Sequence, residues 1–311
     1  MSGGLCDVLR RALGWPARRL LDPRARWTAD LVDDQLGGHR GARPAVHDRL
    51  DVLEELQRRQ LAALGAHDAA GRALPRSVTE LDEPPAALVN WATGPDGPAA
   101  QAGLWFNEPV PVRLVAGGAE VLLVNERIVE QPYVLRALAA LPAGASVLDV
   151  GGAESTLAMA LAALGHPVRV VDPRGHPLAH PLLSVSACSL ARLHLPEPVD
   201  AAVALSAVEH FGLGHYAAAA PGDDRDALAR LRTLVRPGGT LVLTVPFAAQ
   251  ARVEDFERVY DRASLDALLA GWQVTDRRAA WRVDRTTWVA GTLEEPRGER
   301  GVALVTAVNH G

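Results

Sequence analysis

The chain has 311 residues, 48% hydrophobic and 22% charged, a globular balance that excludes global disorder and leaves material for a core domain plus a sizeable extension. Its formal net charge of -5 argues against a nucleic-acid partner, since phosphate-tracking proteins carry a basic surface. Cys6 and Cys188 lie far apart with no metal-ligand spacing, and neither a membrane-spanning apolar run nor a signal-peptide pattern is present, so a cytoplasmic protein is expected.

Residues 1 to 40 interleave Leu9, Leu13, Trp15, Leu20 and Trp27 with Arg10, Arg11, Arg18, Arg19, Arg24 and Arg26. The favoured reading is a solvated helix, cut short by Pro16 and Pro23; the other is a basic amphipathic segment touching a membrane surface or an acidic partner. From Pro44 to Leu64, Val46, Leu50, Leu53, Leu56, Leu61 and Leu64 form a broad helical apolar face. Packing on the following domain is expected of it. A dimerising coil, and so a homodimer, is the weaker reading, because Gln57 and Gln60 fall on the seam. Residues 65–103 are rich in Ala, Pro and Gly and read as a helix fragment plus loop. The boundary is placed there: a mainly helical extension over 1–103 and a second domain over 104–311.

Leu104-Trp105-Phe106-Asn107-Glu108 sets aromatics beside an amide and an acid, which suits the wall of a sugar or small-molecule site; core anchoring explains the aromatics equally. Val110, Val112 and Leu114, the Gly117-Gly118 turn and Val121 to Val124 give a hairpin. Asn125-Glu126-Arg127 opens a helix over 128–141, with Pro132 near its start.

The stretch Ser146-Val147-Leu148-Asp149-Val150-Gly151-Gly152-Ala153-Glu154-Ser155-Thr156 is an apolar run that breaks into small residues. A helical pattern (Leu157, Ala160, Leu161, Leu164), a stop at Gly165 and a second run ending on Asp172 complete a strand, helix, strand unit. Such units cross over right-handedly between parallel strands and bind ligands at the carboxyl edge. Small residues at Gly151, Gly152 and Ala153 admit close approach of a ligand, and Asp172 can accept from ribose hydroxyls. A carboxylate at Asp149 would repel a pyrophosphate, which disfavours a nicotinamide cofactor.

A third strand is expected over 182–187, followed by Cys188-Ser189-Leu190, and a fourth over 200–205, followed by Ser206-Ala207-Val208-Glu209-His210-Phe211-Gly212-Leu213-Gly214-His215-Tyr216. Asp223, Asp224 and Asp226 precede a helix over 227–235, where acids offset exposed amide dipoles; no metal is expected. Arg236-Pro237-Gly238-Gly239 is a turn into a buried fifth strand ending near Pro246. A loop to Tyr260, a helix over 264–270, a sixth strand over 272–275, an insertion over 276–300 and a last strand over 302–308 complete the chain.

Asp149, Gly151, Ala153 and Ser155 at alternate positions, Asp172, Glu209-His210 and Arg236-Pro237-Gly238-Gly239 resemble, in order and spacing, the landmarks of class I S-adenosylmethionine-dependent methyltransferases. The resemblance covers about residues 125 to 311. Two of the family's three motif glycines are replaced, as is the acid after the third strand. The Val208 to Gly214 run also looks like a group of bacterial methyltransferases. The resemblance implies a seven-stranded, doubly wound, Rossmann-like α/β sheet with its last strand antiparallel, and S-adenosylmethionine as cofactor. Asp149, Gly151, Gly152 and Ala153 would hold its methionine portion and Asp172 its ribose, with Ser189 and Ser206 as further contacts. The implied reaction is O-methylation of a small molecule or glycan in bacterial secondary or cell-surface metabolism. His210 is the first candidate base and His215 the second, with Glu209 orienting the imidazole. Trp105, Asn125, Glu126, Arg127, Glu130, Tyr133, Tyr260, Trp281 and Trp288 are candidates for the acceptor side. N- or C-methylation, and a binding or scaffold protein that keeps the fold without transfer, stand as the alternatives.

Overall fold

The computed structural model describes residues 77–214, 223–297 and 300–311. The arginine-rich segment, the expected helix at 44–64 with its dimerising reading, and His215 lie outside the described residues. Leu81–Gly311 form one compact unit, so the stretch 81–103 belongs with the domain that the sequence placed at 104–311. That stretch holds helices α1 (Glu83–Thr93) and α2 (Pro98–Gln101), each opened by a proline in its first turn, where no amide hydrogen is needed. A separate hairpin follows, β1 (Val112–Val115) with β2 (Gly118–Val121).

The main body alternates strands and helices: α3 (Arg127–Leu138), β3 (Val147–Val150), α4 (Leu157–Ala163), β4 (Val168–Val171), β5 (Leu183–Ser186), β6 (Val199–Leu205), α5 (Asp224–Leu234) and β7 (Val235–Phe247). Next come the short pair β8 (Arg252–Val253) and β9 (Arg258–Val259), α6 (Arg262–Leu268), β10 (Trp272–Arg282), β11 (Trp288–Gly291) and β12 (Arg300–Asn309). One eight-stranded sheet runs in the order β11-β10-β12-β7-β6-β3-β4-β5. The pairings β7–β6, β6–β3, β3–β4 and β4–β5 are parallel, and β12 lies antiparallel between β7 and β10. The doubly wound sheet that the resemblance implied, with its last strand antiparallel, is therefore present. The expected seven strands are corrected to eight. The sixth strand runs on to Arg282, and β11, from the expected insertion, pairs with it antiparallel as an added edge.

Strand periodicity explains the two layers. Leu148, Val150, Ala202 and Ala204 pack in one buried cluster with Leu228 and Leu231 of α5 and Leu265 and Leu268 of α6. Val147, Ala201 and Val203 pack in another with Val134 and Leu138 of α3 and Leu157 and Leu161 of α4. Alternate residues thus feed opposite faces, and helices cover both, which is why these strands read as continuous apolar runs. Arg236 to Gly239 form a bulge inside β7: the pairing passes from Val199↔Val235 to Ala201↔Thr240, and Gly238 adopts φ +76°. Among the described residues, no helix is long and apolar enough to cross a membrane.

Candidate functional site

The turns after β3, β4, β5 and β6 open on one edge of the sheet and surround a cavity of about 650 Å³. Residues before α3, between β8 and β9, and at the start of β12 complete its rim. Such an edge gathers chemistry because the strand ends fix the loop roots while the loops vary.

Gly151 ends β3 in the left-handed region, φ +74°, and a Cβ there would stand 2.7 Å from the Ala207 Cβ. A Cβ at Gly152 would stand 2.4 Å from Asp149 Oδ2. Each glycine thus meets a neighbouring part of the protein where a Cβ would stand, and Gly151 also faces the cavity. Of the stretch Ser146 to Thr156, Val150, Gly151 and Glu154 line the cavity; Asp149, Gly152 and Ala153 are buried beneath the turn. Among the described residues, Asp149 Oδ2 has no hydrogen-bonding partner. Burial pushes the Asp149 carboxyl up to about 7, against the pull of Arg127.

Asp172 ends β4 on the cavity wall, as its place at the strand end requires. Its Oδ2 accepts from the Ala153 amide at 3.3 Å and from Arg174 Nη2 at 3.3 Å, and its Oδ1 accepts from the Arg174 amide at 2.9 Å and Nε at 3.2 Å. Arg174 also pairs with Glu154, so a guanidinium bridges the turns after β3 and β4. Beyond β5, Ser189 lies on the wall with a buried Oγ that has no partner among the described residues.

Ser206 ends β6 and, among the described residues, is the non-glycine residue with positive φ, at +42°. Its Oγ donates to Glu130 Oε1 at 2.5 Å, and its amide donates to Thr244 Oγ1 at 3.0 Å. Glu130 Oε2 accepts from Arg127 Nη1 at 3.3 Å. Burial lifts the Glu130 carboxyl to about 7, with Arg127 opposing.

The strand then turns through Val208–His210. A carbonyl can only accept, so the 2.7 Å contact between His210 Nδ1 and the Phe256 carbonyl puts the proton on Nδ1 and the lone pair on Nε2. The Phe256 ring packs on the imidazole at 4.5 Å between centroids. Burial depresses the His210 pKa. Glu209 Oε1 stands 3.8 Å from His210 Nε2, beyond hydrogen-bonding reach. The orienting role expected of Glu209 thus falls to a main-chain carbonyl. Glu209 Oε2 is buried without a partner among the described residues, and burial raises that carboxyl well above its ordinary range.

Of the expected acceptor-side residues, Trp105, Glu126 and Arg127 line the cavity. Asn125 stands behind them as a tie: its Nδ2 donates to Asn107 Oδ1 at 2.7 Å and to the Glu108 carbonyl at 2.6 Å, while its Oδ1 accepts the Arg127 amide at 3.0 Å. Three others are core residues. Tyr133 shares a 2.8 Å hydrogen bond with Thr306 across the sheet, Tyr260 donates to Asp224 at 2.6 Å, and Trp281 is fully buried with Nε1 donating to the Thr292 carbonyl. Trp288 donates to the Val124 carbonyl at 2.9 Å, away from the cavity wall. Asp223 and Asp226 form the capping box of α5.

Four contributors carry no signal in the sequence. Arg258 Nη1 donates to the carbonyls of Glu209 at 3.2 Å and Phe211 at 2.5 Å, pinning the turn that holds His210. Arg300 pairs with Glu257 and with Glu126 at 3.3 Å, tying β12 to the rim. With Phe256 and Arg174, these act through carbonyls and carboxylates far away in sequence, which no local spacing encodes.

A family model described as Caenorhabditis protein of unknown function, DUF268, matches residues 182–287. No curated protein sequence matches the chain. Among solved structures, the Burkholderia thailandensis 1,6-didemethyltoxoflavin-N1-methyltransferase with bound 1,6-didemethyltoxoflavin and S-adenosylhomocysteine is 20% identical, with a TM-score of 0.44 over 60% of this chain and 80% of that one. The N-methyltransferase NodS from Bradyrhizobium japonicum with S-adenosylhomocysteine is 14% identical, with a TM-score of 0.40 over 59% and 87%. The [4+2]-cyclase SpnF is 16% identical, with a TM-score of 0.45 over 66% and 85%.

Proposed function

We propose that this chain is a methyltransferase that binds S-adenosylmethionine and methylates a hydroxyl of a small molecule or glycan. The observation that carries the reading is one continuous cavity whose wall runs from Asp172 and Ser189 to Glu209 and His210. The residues fit the cofactor: Asp172 presents on the wall a carboxylate whose bonds to Arg174 two ribose hydroxyls would replace, Ser189 Oγ, unpartnered among the described residues, offers a hydrogen bond beside the adenine position, and Arg127 offers a cation to the amino-acid carboxylate. Bound there, the cofactor supplies an activated methyl group.

The protein's own part is orientation and proton removal. A hydroxyl becomes nucleophilic as its proton leaves, and His210 presents a lone pair at Nε2 because the Phe256 carbonyl holds Nδ1–H. Its depressed pKa keeps the imidazole neutral near pH 7, ready to take that proton. The same carbonyl stabilises the imidazolium that results. Trp105 supplies an apolar wall against which an acceptor ring can lie, and Asn107 a hydrogen-bonding amide.

Calorimetric titration with S-adenosylmethionine and S-adenosylhomocysteine, beside the Asp172→Ala variant, tests the reading. Micromolar binding by the intact protein, lost in the variant, is expected. A protein that takes neither ligand would instead be a binding or scaffold member of the fold.

A further inference from the structure

We propose that Glu209 forms a subsite for a positively charged centre of the ligand, a sulfonium or an ammonium, at the floor of the cavity. The inference rests on the proposed function and deepens it. Glu209 lines the cavity, is 1% exposed, and leaves Oε2 without a hydrogen-bonding partner. A carboxyl removed from water and unpaired is costly, and a ligand that completes it offsets that cost. The carboxyl meets its own backbone amide, but among the described residues no side chain completes Oε2. Arg258 donates to the Glu209 backbone carbonyl, not to its side chain. His210 Nε2 is 3.8 Å away. Arg300 is engaged by Glu257 and Glu126, and Arg127 pairs with Glu130. The charged groups acting on Glu209 are the Glu130 and Glu257 carboxyls, which raise its pKa further, and Arg127, which opposes them. Glu130, fully buried and held by Ser206 and Arg127, does not line the cavity and acts on Glu209 through its field alone.

Two sources fit the chemistry: the donor's sulfonium and an acceptor's ammonium. A cation arriving beside a neutral, buried carboxyl favours its ionised form, so binding expels a proton and strengthens as pH rises.

The test is calorimetry on wild type and Glu209→Gln with three ligands: S-adenosylmethionine (sulfonium), S-adenosylhomocysteine (neutral sulfide) and sinefungin (ammonium at the same place). Expected is binding of the two cationic ligands about tenfold tighter than the sulfide, equivalent to about 1.4 kcal/mol. The substitution should erase that preference and leave sulfide binding within about twofold. Repeating the wild-type titration at pH 7 in phosphate and in Tris should reveal proton release with S-adenosylmethionine and sinefungin but not with S-adenosylhomocysteine; this decides the matter even if the variant fails to fold. Equal affinity for all three, with the sulfide-saturated protein taking up glucosamine but not glucose in a Glu209-dependent way, assigns the subsite to an acceptor ammonium. No preference, no proton release and no amine uptake overturns the inference while the proposed function stands. No binding of any adenosyl ligand by wild type overturns the proposed function, and the inference with it.

Discussion

Ser206 holds a backbone conformation that L-residues seldom adopt, φ +42°, and spends its hydroxyl on the fully buried Glu130. The two effects can be separated. Ser206→Ala keeps the strained turn and removes one hydrogen bond from a buried carboxyl that Thr244 and Arg127 also meet, which costs about 1 kcal/mol. Ser206→Gly loses the same bond but relaxes the turn, so it should sit above the alanine variant by about 1 kcal/mol in urea unfolding. A glycine variant no more stable than alanine would mean the turn stores no strain. At His210 the contrast is kinetic: His210→Gln should lower turnover about a hundredfold or more, measured as S-adenosylhomocysteine release, with cofactor affinity unchanged. Because the base must be neutral, wild-type turnover should rise with pH through a midpoint below the ordinary histidine value of 6.5. An unchanged turnover removes His210 as the base. The pairing Glu209-His210 was legible in sequence because two polar residues directly after an apolar strand stand out. Its partner at Phe256 was not, since any residue type has a carbonyl.

The edge formed by β10, β11 and β12 is built around one aromatic side chain. Trp281 lies between Gly291 and Gly301: a Cβ at the first would stand 2.7 Å, and at the second 2.5 Å, from its ring atoms. Its ring also meets Phe247 edge-on at 5.8 Å. Gly301→Ala should therefore destabilise by about 1–3 kcal/mol through overpacking, and Trp281→Ala by about 3–5 kcal/mol through the cavity it leaves. Neither should change cofactor affinity at a temperature where the variant stays folded; a large loss of affinity in Gly301→Ala would return Trp281 to the ligand. The parallel strands were legible from their apolar runs and the glycine turn after β3. This edge was not. An aromatic in an insertion reads alike whether it covers a ligand or a sheet, and the deciding glycines lie on two separate strands.

Across the whole molecule, burial of acids sets how stability should respond to pH. Asp149 and Glu130 are lifted by burial from 3.8 and 4.5 to about 7, and Glu209 moves the same way. The folded protein therefore keeps protons that the unfolded chain has released. Stability from these groups is fully present below pH of about 4 and is lost as pH rises to about 7. Two opposing sets exist. Asp200, Asp223, Asp261 and Asp266 have lowered pKa values, so their contribution is present above the ordinary aspartate range and disappears only at more acid pH. Those carboxyls are largely exposed, and solvent screening keeps their share small. His210, also depressed, gains above the ordinary histidine value but is one imidazole against three buried carboxyls. The net expectation is a thermal midpoint that falls between pH 4.5 and 7, the reverse of the rise that exposed ion pairs would give. Asp149→Asn should flatten that slope, because an amide keeps the shape and cannot ionise; a wild-type midpoint that stays level or rises over the same interval would mean that water or Arg127 already compensates these carboxylates in the folded state.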